Sequence, residues 1–455
     1  MSFTSGLFLI GILPFYMLFY VLIRKNIICR KLLLFLANAV FYFWGGVKAF
    51  LIMCAYVLLI WMTERILCVK KSKALFAVGI AVSLLPLLTY KYLSVLKSSG
   101  LSLPLDIPEL AAPLGISFFT FEAISLISDV YNGKITKRLS ILEVFLYLSF
   151  FVTVTSGPIL RYGDFNNDLA EQSKTVDRVK AIERIAVGLC KKMLIANKLS
   201  FLTDYYFNGI GNGEVYSCTG LWLASIAYSL QLYFDFSGYS DMAIGIGGIL
   251  GFEIPENFNN PYHACSIQDF WRRWHITLSR WFRDYIYIPL GGNRCSKGRS
   301  ILNLFIVWLL TGIWHGADWT FILWGLGYFV LLLLEKNIPF IKNMSGKWYG
   351  YLYTLFMVNF LWIPFRASDM HEFTSFISQM FRFFGGIPME EIALNYLPFV
   401  IFVAALCLPL KKWIAKYESK AAVRWGKAVL LSVAACLALC AVINSSYAPY
   451  IYGKF

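Results

Sequence analysis

Apolar runs long enough to cross a lipid bilayer recur from one end of this chain to the other, and no other feature narrows its fold so far. They fall at 6–23, 32–46, 49–67, 74–93, 111–130, 141–158, 220–236, 301–314, 319–334, 351–365, 398–410 and 429–442. A bilayer core about 30 Å thick takes roughly 20 helical residues, so the shorter runs must tilt, extend into their flanks or stop inside. With 58% hydrophobic and 15% charged residues, the balance departs from that of water-soluble globular chains. The chain reads as an all-α polytopic membrane protein.

Charge orients it. Arg24, Lys25, Arg30 and Lys31 directly follow the first run and no basic residue precedes it, the reverse of a cleavable signal peptide. The positive-inside bias therefore puts the N-terminus outside. It keeps Lys70, Lys71 and Lys73, then Lys134, Lys137 and Arg138, in the cytoplasm, while 98–110, without a basic residue, faces out. The net charge of +15 matches cytoplasmic loops lying against anionic headgroups, and nucleic acid is not needed to explain it. Ten cysteines without a CxxC pair read as small buried hydrophobes, not as a disulfide or zinc framework.

One domain, 1–455, is the simplest organisation. The polar chemistry gathers at 161–208 and 253–299. In the first stretch, Ile182, Ile185, Leu189 and Met193 share a helical face with Arg178, Lys180, Arg184, Lys191, Lys192 and Lys198 around it, as in an interfacial helix on an anionic leaflet. The second, "DFWRRWHITLSRWFRDYIYIPLGGNRCSKGR", sets Arg272, Arg273, Arg280, Arg283, Arg294, Lys297 and Arg299 against Asp269 and Asp284. Phe270, Trp271, Trp274 and Trp281 among these cations describe an in-plane cytoplasmic helix. Guanidinium groups offer planar forks to phosphate oxygens, so this surface is a candidate dock for a phosphorylated donor, with His275 on the same helix. In "DFSGYSDMAIGIGGILG", Asp241 is open to capping, to hydrogen bonding or to orienting a catalytic group. The glycines there read as close helix packing, not as a dinucleotide fingerprint.

His315 in "LTGIWHGADWTFILWGLG" differs in kind, because an ionisable side chain inside a membrane segment is a functional-site hypothesis by default. Counted from Ile301 at about 1.5 Å per residue it lies roughly 21 Å into a core about 30 Å thick. Gly312 and Gly316 leave space around Trp314 and His315, and Asp318 opens a new helix, so the histidine stands at a break between two membrane segments. A ring held in hydrocarbon is neutral, the form a general base needs.

These motifs, together with "PLGISFFTFEAISLISDVY", "SGPILRYGDF" and "PENFNNPYHACSIQDFWRRWHITLSRWFRDYIYIPLGGNR", resemble the membrane-bound O-acyltransferases, within them the bacterial alginate and peptidoglycan O-acetyltransferases. The resemblance covers about 113–335. It implies a ring of about 11–12 tilted transmembrane helices, with interfacial helices, around a central tunnel. It makes His315 the catalytic histidine and His275 the second histidine of that branch, with Arg272, Arg273, Trp274, Arg283, Asp284, Trp314 and Asp241 as candidates to line the donor site or tunnel. It implies acetyl-CoA as donor substrate, no resident cofactor or metal, an SGNH-type extracytoplasmic transferase as partner, a polysaccharide acceptor and a place in the bacterial cytoplasmic membrane. The ending "APYIYGKF", on a C-terminal helix and tail over about 428–455, resembles a terminus in which a tyrosine relays the acyl group outward; Tyr452 is that tyrosine, and both termini are then extracytoplasmic.

Three other readings stand beside this one, a structural scaffold for an envelope complex without chemistry of its own among them. The donor is an aminoacyl carrier protein, as in D-alanylation of teichoic acid, or the chain is a transporter using His315, Asp241 and Arg273 as an ion or solute site. The absence of a clear internal repeat weakens the transporter reading.

Overall fold

The computed structural model describes residues 5–23, 25–92, 113–170, 177–344, 346–383, 387–409, 417 and 420–444. Among these there is no strand, and the architecture is all-α as expected. Five described helices are long and apolar enough to cross a bilayer: Ile27–Trp44, Val47–Val69, Lys73–Tyr92, Trp319–Asn337 and Ala421–Asn444. The remaining apolar runs form shorter or more polar helices. Large apolar side chains point outward along these spans, with Val429, Leu430, Val433 and Leu437 of the last each more than half exposed, as a lipid-facing surface requires. This is a multi-pass membrane protein.

The chain builds two compact units from interleaved segments. Of the described residues, the first uses those up to Ile185 and Tyr239–Pro255; the second uses Ala186–Gly238 and those from Glu256 onward.

In the first unit, a π turn at Leu7–Ile12 leads into α1 (Leu13–Ile23), followed by α2 (Ile27–Trp44), α3 (Val47–Val69), α4 (Lys73–Leu87), α5 (Ile116–Tyr131), α6 (Ile141–Leu148) and α7 (Tyr162–Ala170). Their starts are written in local hydrogen bonds. Asn26 Oδ1 accepts from the N–H groups of Ile28 and Cys29, Ser72 Oγ accepts from Leu75 N–H, and Ser140 and Glu143 form a reciprocal capping box. Every residue of α5 from Ile116 to Val130 is buried, the polar Ser117, Thr120, Glu122, Ser125, Ser128 and Asp129 included.

The apolar run 141–158 does not make one span. Helix α6 stops at Leu148, and turns follow. Asn38 of α2 explains the stop: its Nδ2 donates to Leu146 O and Ser149 Oγ, and its Oδ1 accepts from Phe151 N–H at 3.1 Å. A buried side chain thus takes the backbone partners that helix continuation would use.

The stretch expected to lie on the leaflet surface is also corrected. It forms α8 (Arg178–Cys190), a π turn (Lys191–Ala196) and α9 (Asn197–Gly211). Lys180 stays exposed, but Lys192 is buried, its Nζ donating to Asp235 Oδ1 at 2.6 Å. Opposite lies α10 (Cys218–Ile249), whose glycines permit the approach. A Cβ at Gly238 would stand 2.8 Å from the Gly188 carbonyl oxygen, and one at Gly245 would stand 2.6 Å from that of Ala181. Helix amphipathicity alone could not reveal that two of the cations had carboxylate partners on another helix. The ten cysteines are all free, and none is fully buried, so they pack at partly open positions instead of in the core.

The second unit continues with α11 (Ile267–Arg273), α12 (Ile276–Phe282), a π turn (Arg283–Tyr287), α13 (Lys297–His315), α14 (Trp319–Asn337), α15 (Trp348–Arg366), α16 (Met370–Met380), α17 (Glu391–Leu406) and α18 (Ala421–Asn444). Helices α13 and α14 form a tight hairpin. A Cβ on Gly312 would lie 2.7 Å from the Phe321 carbonyl oxygen, and one on Gly325 would lie 2.5 Å from that of Trp308. Small residues facing one another let the two backbones meet, the usual device for helix association in lipid.

Candidate active site

Helix α13 starts from a cap in which Ser296 Oγ accepts from Arg299 N–H, and its last helical residue is His315. Eighteen steps of about 1.5 Å place the histidine roughly 27 Å along the axis from Lys297. Gly316 follows in extended conformation and α14 begins after Asp318. The break expected at this point is present, although the Asp318 side chain makes no cap bond.

The imidazole of His315 is 2% exposed and sits among aromatic rings. Trp314 lies 4.6 Å away between centroids, Trp324 4.9 Å and Phe365 5.0 Å, the last two nearly perpendicular to it. Trp362 backs this box, stacked on Trp324 and edge-on to Phe365. The flanking glycines have a different task from the one their sequence suggests: Gly312 and Gly316 both abut Phe321. They seat α14 against the histidine instead of leaving a void.

His275 is not within a helix. It stands between α11 and α12 with φ of +43°, a left-handed conformation unusual for a residue with a Cβ and the kind of local strain that clusters at functional sites. The kink splits the expected in-plane helix, and each half turns its apolar face inward. Phe270, Trp271, Trp274 and Trp281 are therefore buried instead of lying at headgroup level. Trp271 packs on Trp308 of α13 and Tyr328 of α14, and Trp274 on Phe258 and Trp362.

His275 itself is buried, edge-on to Phe236 at 4.7 Å, and its Nδ1 lies 3.2 Å from Asn257 Oδ1. Burial pushes its imidazole down to about 3, so the ring is neutral at physiological pH. Its centroid is 6.5 Å from that of Trp314, which makes Trp314 the shared neighbour of both histidines.

The arginines divide. Arg272, Arg280, Arg294 and Arg299 are exposed. Arg273 pairs with Asp269 at 2.9 Å one helical turn away, and Arg283 with its neighbour Asp284 at 2.7 Å. Arg283 and Tyr287 stand at a cavity of about 170 Å³ otherwise lined by Trp271, Leu278, Ser279, Phe282, Leu304, Val307, Trp308 and Thr311. Thr311 is one turn before His315. Asp241 belongs to the first unit, where Arg184 holds it in an ion pair at 2.9 Å. Tyr452 lies outside the described residues.

The structure thus brings together His275, Trp274, Trp314 and His315, and it adds residues that sequence reasoning did not single out. Asn257 stands in a quoted motif without a signal of its own. Trp324 and Phe365 reach His315 only through the packing of α14 and α15. Among the described residues, no group of three or more His, Cys, Asp or Glu side chains is arranged to hold a metal ion.

The sequence profile of the membrane-bound O-acyltransferase family matches residues 47–367. The chain belongs to that family. A probable alginate O-acetylase of Pseudomonas aeruginosa is 38% identical over 404 residues, 84% of this chain and 75% of that protein. The peptidoglycan O-acetyltransferase of Helicobacter pylori is 36% identical over 58% of this chain and 55% of its own length. The teichoic acid D-alanyltransferase of Bacillus subtilis is 33% identical over 52% of this chain and 61% of its own. Both histidines, Asn257 and Phe365 fall inside the matched region of this membrane-bound O-acyltransferase.

Proposed function

We propose that this protein moves an acetyl group from cytoplasmic acetyl-CoA across the bacterial cytoplasmic membrane for O-acetylation of an exported polysaccharide of the alginate or peptidoglycan kind. The observation that carries this is His315, buried among aromatic rings at the end of a helix that begins beside Arg294, Lys297 and Arg299. The long match to a probable alginate O-acetylase, against half the chain for a D-alanyltransferase, favours acetyl over D-alanyl transfer. An Asp241 already paired with Arg184 does not favour an ion-transport site.

In the reaction, the imidazole of His315 takes the proton of an acceptor hydroxyl as its oxygen attacks the thioester carbonyl. The carbon–sulfur bond breaks, and the departing thiolate recovers that proton from the imidazolium. The exposed Arg272, Arg280 and Arg294 suit the donor's phosphates, and the apolar crevice from Arg283 to Thr311 suits its thioester arm. Tyr452 serves as the first acceptor and passes the acetyl group to an SGNH-type partner transferase outside, both chain termini being extracytoplasmic.

The test is transfer of labelled acetyl from acetyl-CoA by purified protein in lipid vesicles. Wild type labels itself or its acceptor, and His315→Ala does not. Transfer that survives His315→Ala overturns the mechanism, and acetyl export that survives Tyr452→Phe removes the relay alone.

A further inference from the structure

Asn257 is fully buried on the segment that precedes α11, and three groups converge on its side-chain oxygen. Thr277 donates to Oδ1 twice, from its backbone N–H at 3.2 Å and from its hydroxyl at 2.9 Å, and His275 Nδ1 lies 3.2 Å away. The backbone N–H settles the orientation of the amide, because it can only donate. The atom facing His275 is therefore the oxygen, an acceptor, and Nδ1 must carry the hydrogen. Two main-chain bonds hold the arrangement in place: Ile276 N–H donates to Asn257 O at 3.0 Å, and Asn259 N–H donates to Arg273 O at 2.9 Å. The kink at His275, with its positive φ, is what turns the ring toward this strap.

We propose that Asn257 is a positioning residue that holds His275 as the Nδ1–H tautomer, so that Nε2 carries the lone pair available to the transfer reaction. This is the reverse of the form that predominates in free histidine, which is why a fixed acceptor is needed to select it. The proposal rests on the reading of His275 as part of the transfer site, but the tautomer is measurable without any activity.

The experiment is 15N NMR of histidine-labelled full-length protein in nanodiscs, with the His275 signals assigned by difference from His275→Gln, alongside acetyl-transfer kinetics. Wild type shows a protonated Nδ1 and an unprotonated Nε2. Asn257→Leu loses that pattern, and kcat falls on the order of 10- to 100-fold, by analogy with the loss when the outer partner of a metal-ligating histidine is removed, with KM for the donor unchanged. Asn257→Asp keeps an acceptor at the same atom and retains Nδ1–H, while its charge favours protonation of Nε2 as well. Thr277→Val weakens the same junction without touching the Nδ1 contact and leaves both readouts near wild type.

An Nε2–H tautomer in wild type overturns the proposal, as does an Asn257→Leu protein with unchanged tautomer and turnover. A Thr277→Val protein as impaired as Asn257→Leu overturns it too, since the role is then structural. Should Asn257→Leu not fold, the wild-type tautomer decides. Transfer that survives His315→Ala would remove the proposed function while leaving the tautomer result to stand or fall by itself.

Discussion

Replacing Gly325 by alanine tests whether the α13–α14 contact sets the geometry around His315. The new Cβ would stand 2.5 Å from the Trp308 carbonyl oxygen and 3.2 Å from Gly312 Cα. Both obstacles are backbone, so no side chain can swing aside. Interiors pack at crystal density, and restoring ordinary contact requires α14 to withdraw by roughly 1 Å. Trp324 is the adjacent residue, and its ring lies 4.9 Å from that of His315, so the displacement is carried into the aromatic box. A misplacement of about 1 Å around reacting groups costs on the order of 100-fold in rate, and overpacking of this kind costs about 1–3 kcal/mol in stability.

Gly298 supplies the control, because it lies in the first turn of α13, the other helix of the hairpin, with nothing within 4 Å of its Cβ position. Gly298→Ala is expected to leave activity unchanged and to raise stability by about 0.4–1 kcal/mol. Both variants are compared with wild type by labelled acetyl transfer in vesicles and by thermal unfolding in detergent. A Gly325→Ala protein that transfers within about twofold of wild type would refute the reasoning. So would a Gly298→Ala protein that loses activity equally, since backbone crowding would then not be the cause.

Lys192→Met removes the cation paired with the buried Asp235 carboxylate and is expected to destabilise the protein by about 3–5 kcal/mol, whereas Lys192→Met with Asp235→Leu recovers most of that loss; thermal unfolding of the two variants checks the difference. Glu390 gives a pH signature. Burial acts to raise its carboxyl, but hydrogen bonds from Ser217 N–H, Tyr206 OH and Ser217 Oγ outweigh burial and hold it below the usual 4.5. A lowered folded value means that its contribution to stability is fully present above the unfolded value and lost as pH falls through the folded one. Unfolding measured from pH 6 downward should therefore show a loss beginning below about pH 5 that Glu390→Gln flattens.

The membrane class, the helix break at His315 and the interest of that residue were all legible in the chain, because each rests on local physics. A bilayer demands long apolar runs, and an ionisable group within one is conspicuous. What was not legible depends on partners distant in sequence. Asn38 ends α6 from about 110 positions away. Lys192 looks like a surface cation until Asp235 is set opposite it. The stretch around His275 carries a helical pattern on both sides, and nothing local announces that the residue between them takes a positive φ. Aromatic residues beside arginines carry the signature of an interfacial belt, yet the same residues serve as core once the helix is kinked.

On the proposed mechanism, the surroundings of the two histidines would meet different demands of proton transfer. His275 is tied by hydrogen bonds to a neutral amide oxygen and a packed junction, which fix orientation and tautomer. His315 is bounded by Trp314, Trp324 and Phe365, all with centroids within 5.0 Å. A carboxylate at that position would favour the charged imidazolium at rest and remove the base before the acceptor arrived. Aromatic rings carry no such charge, and a ring that turns its face to the imidazole attracts the cation once the proton has been taken. On the proposed mechanism, such a contact, at about 0.5–2 kcal/mol when desolvated, would stabilise the charged state chiefly during transfer. Stabilisation that acts in the transition state and not before it is what accelerates a chemical step.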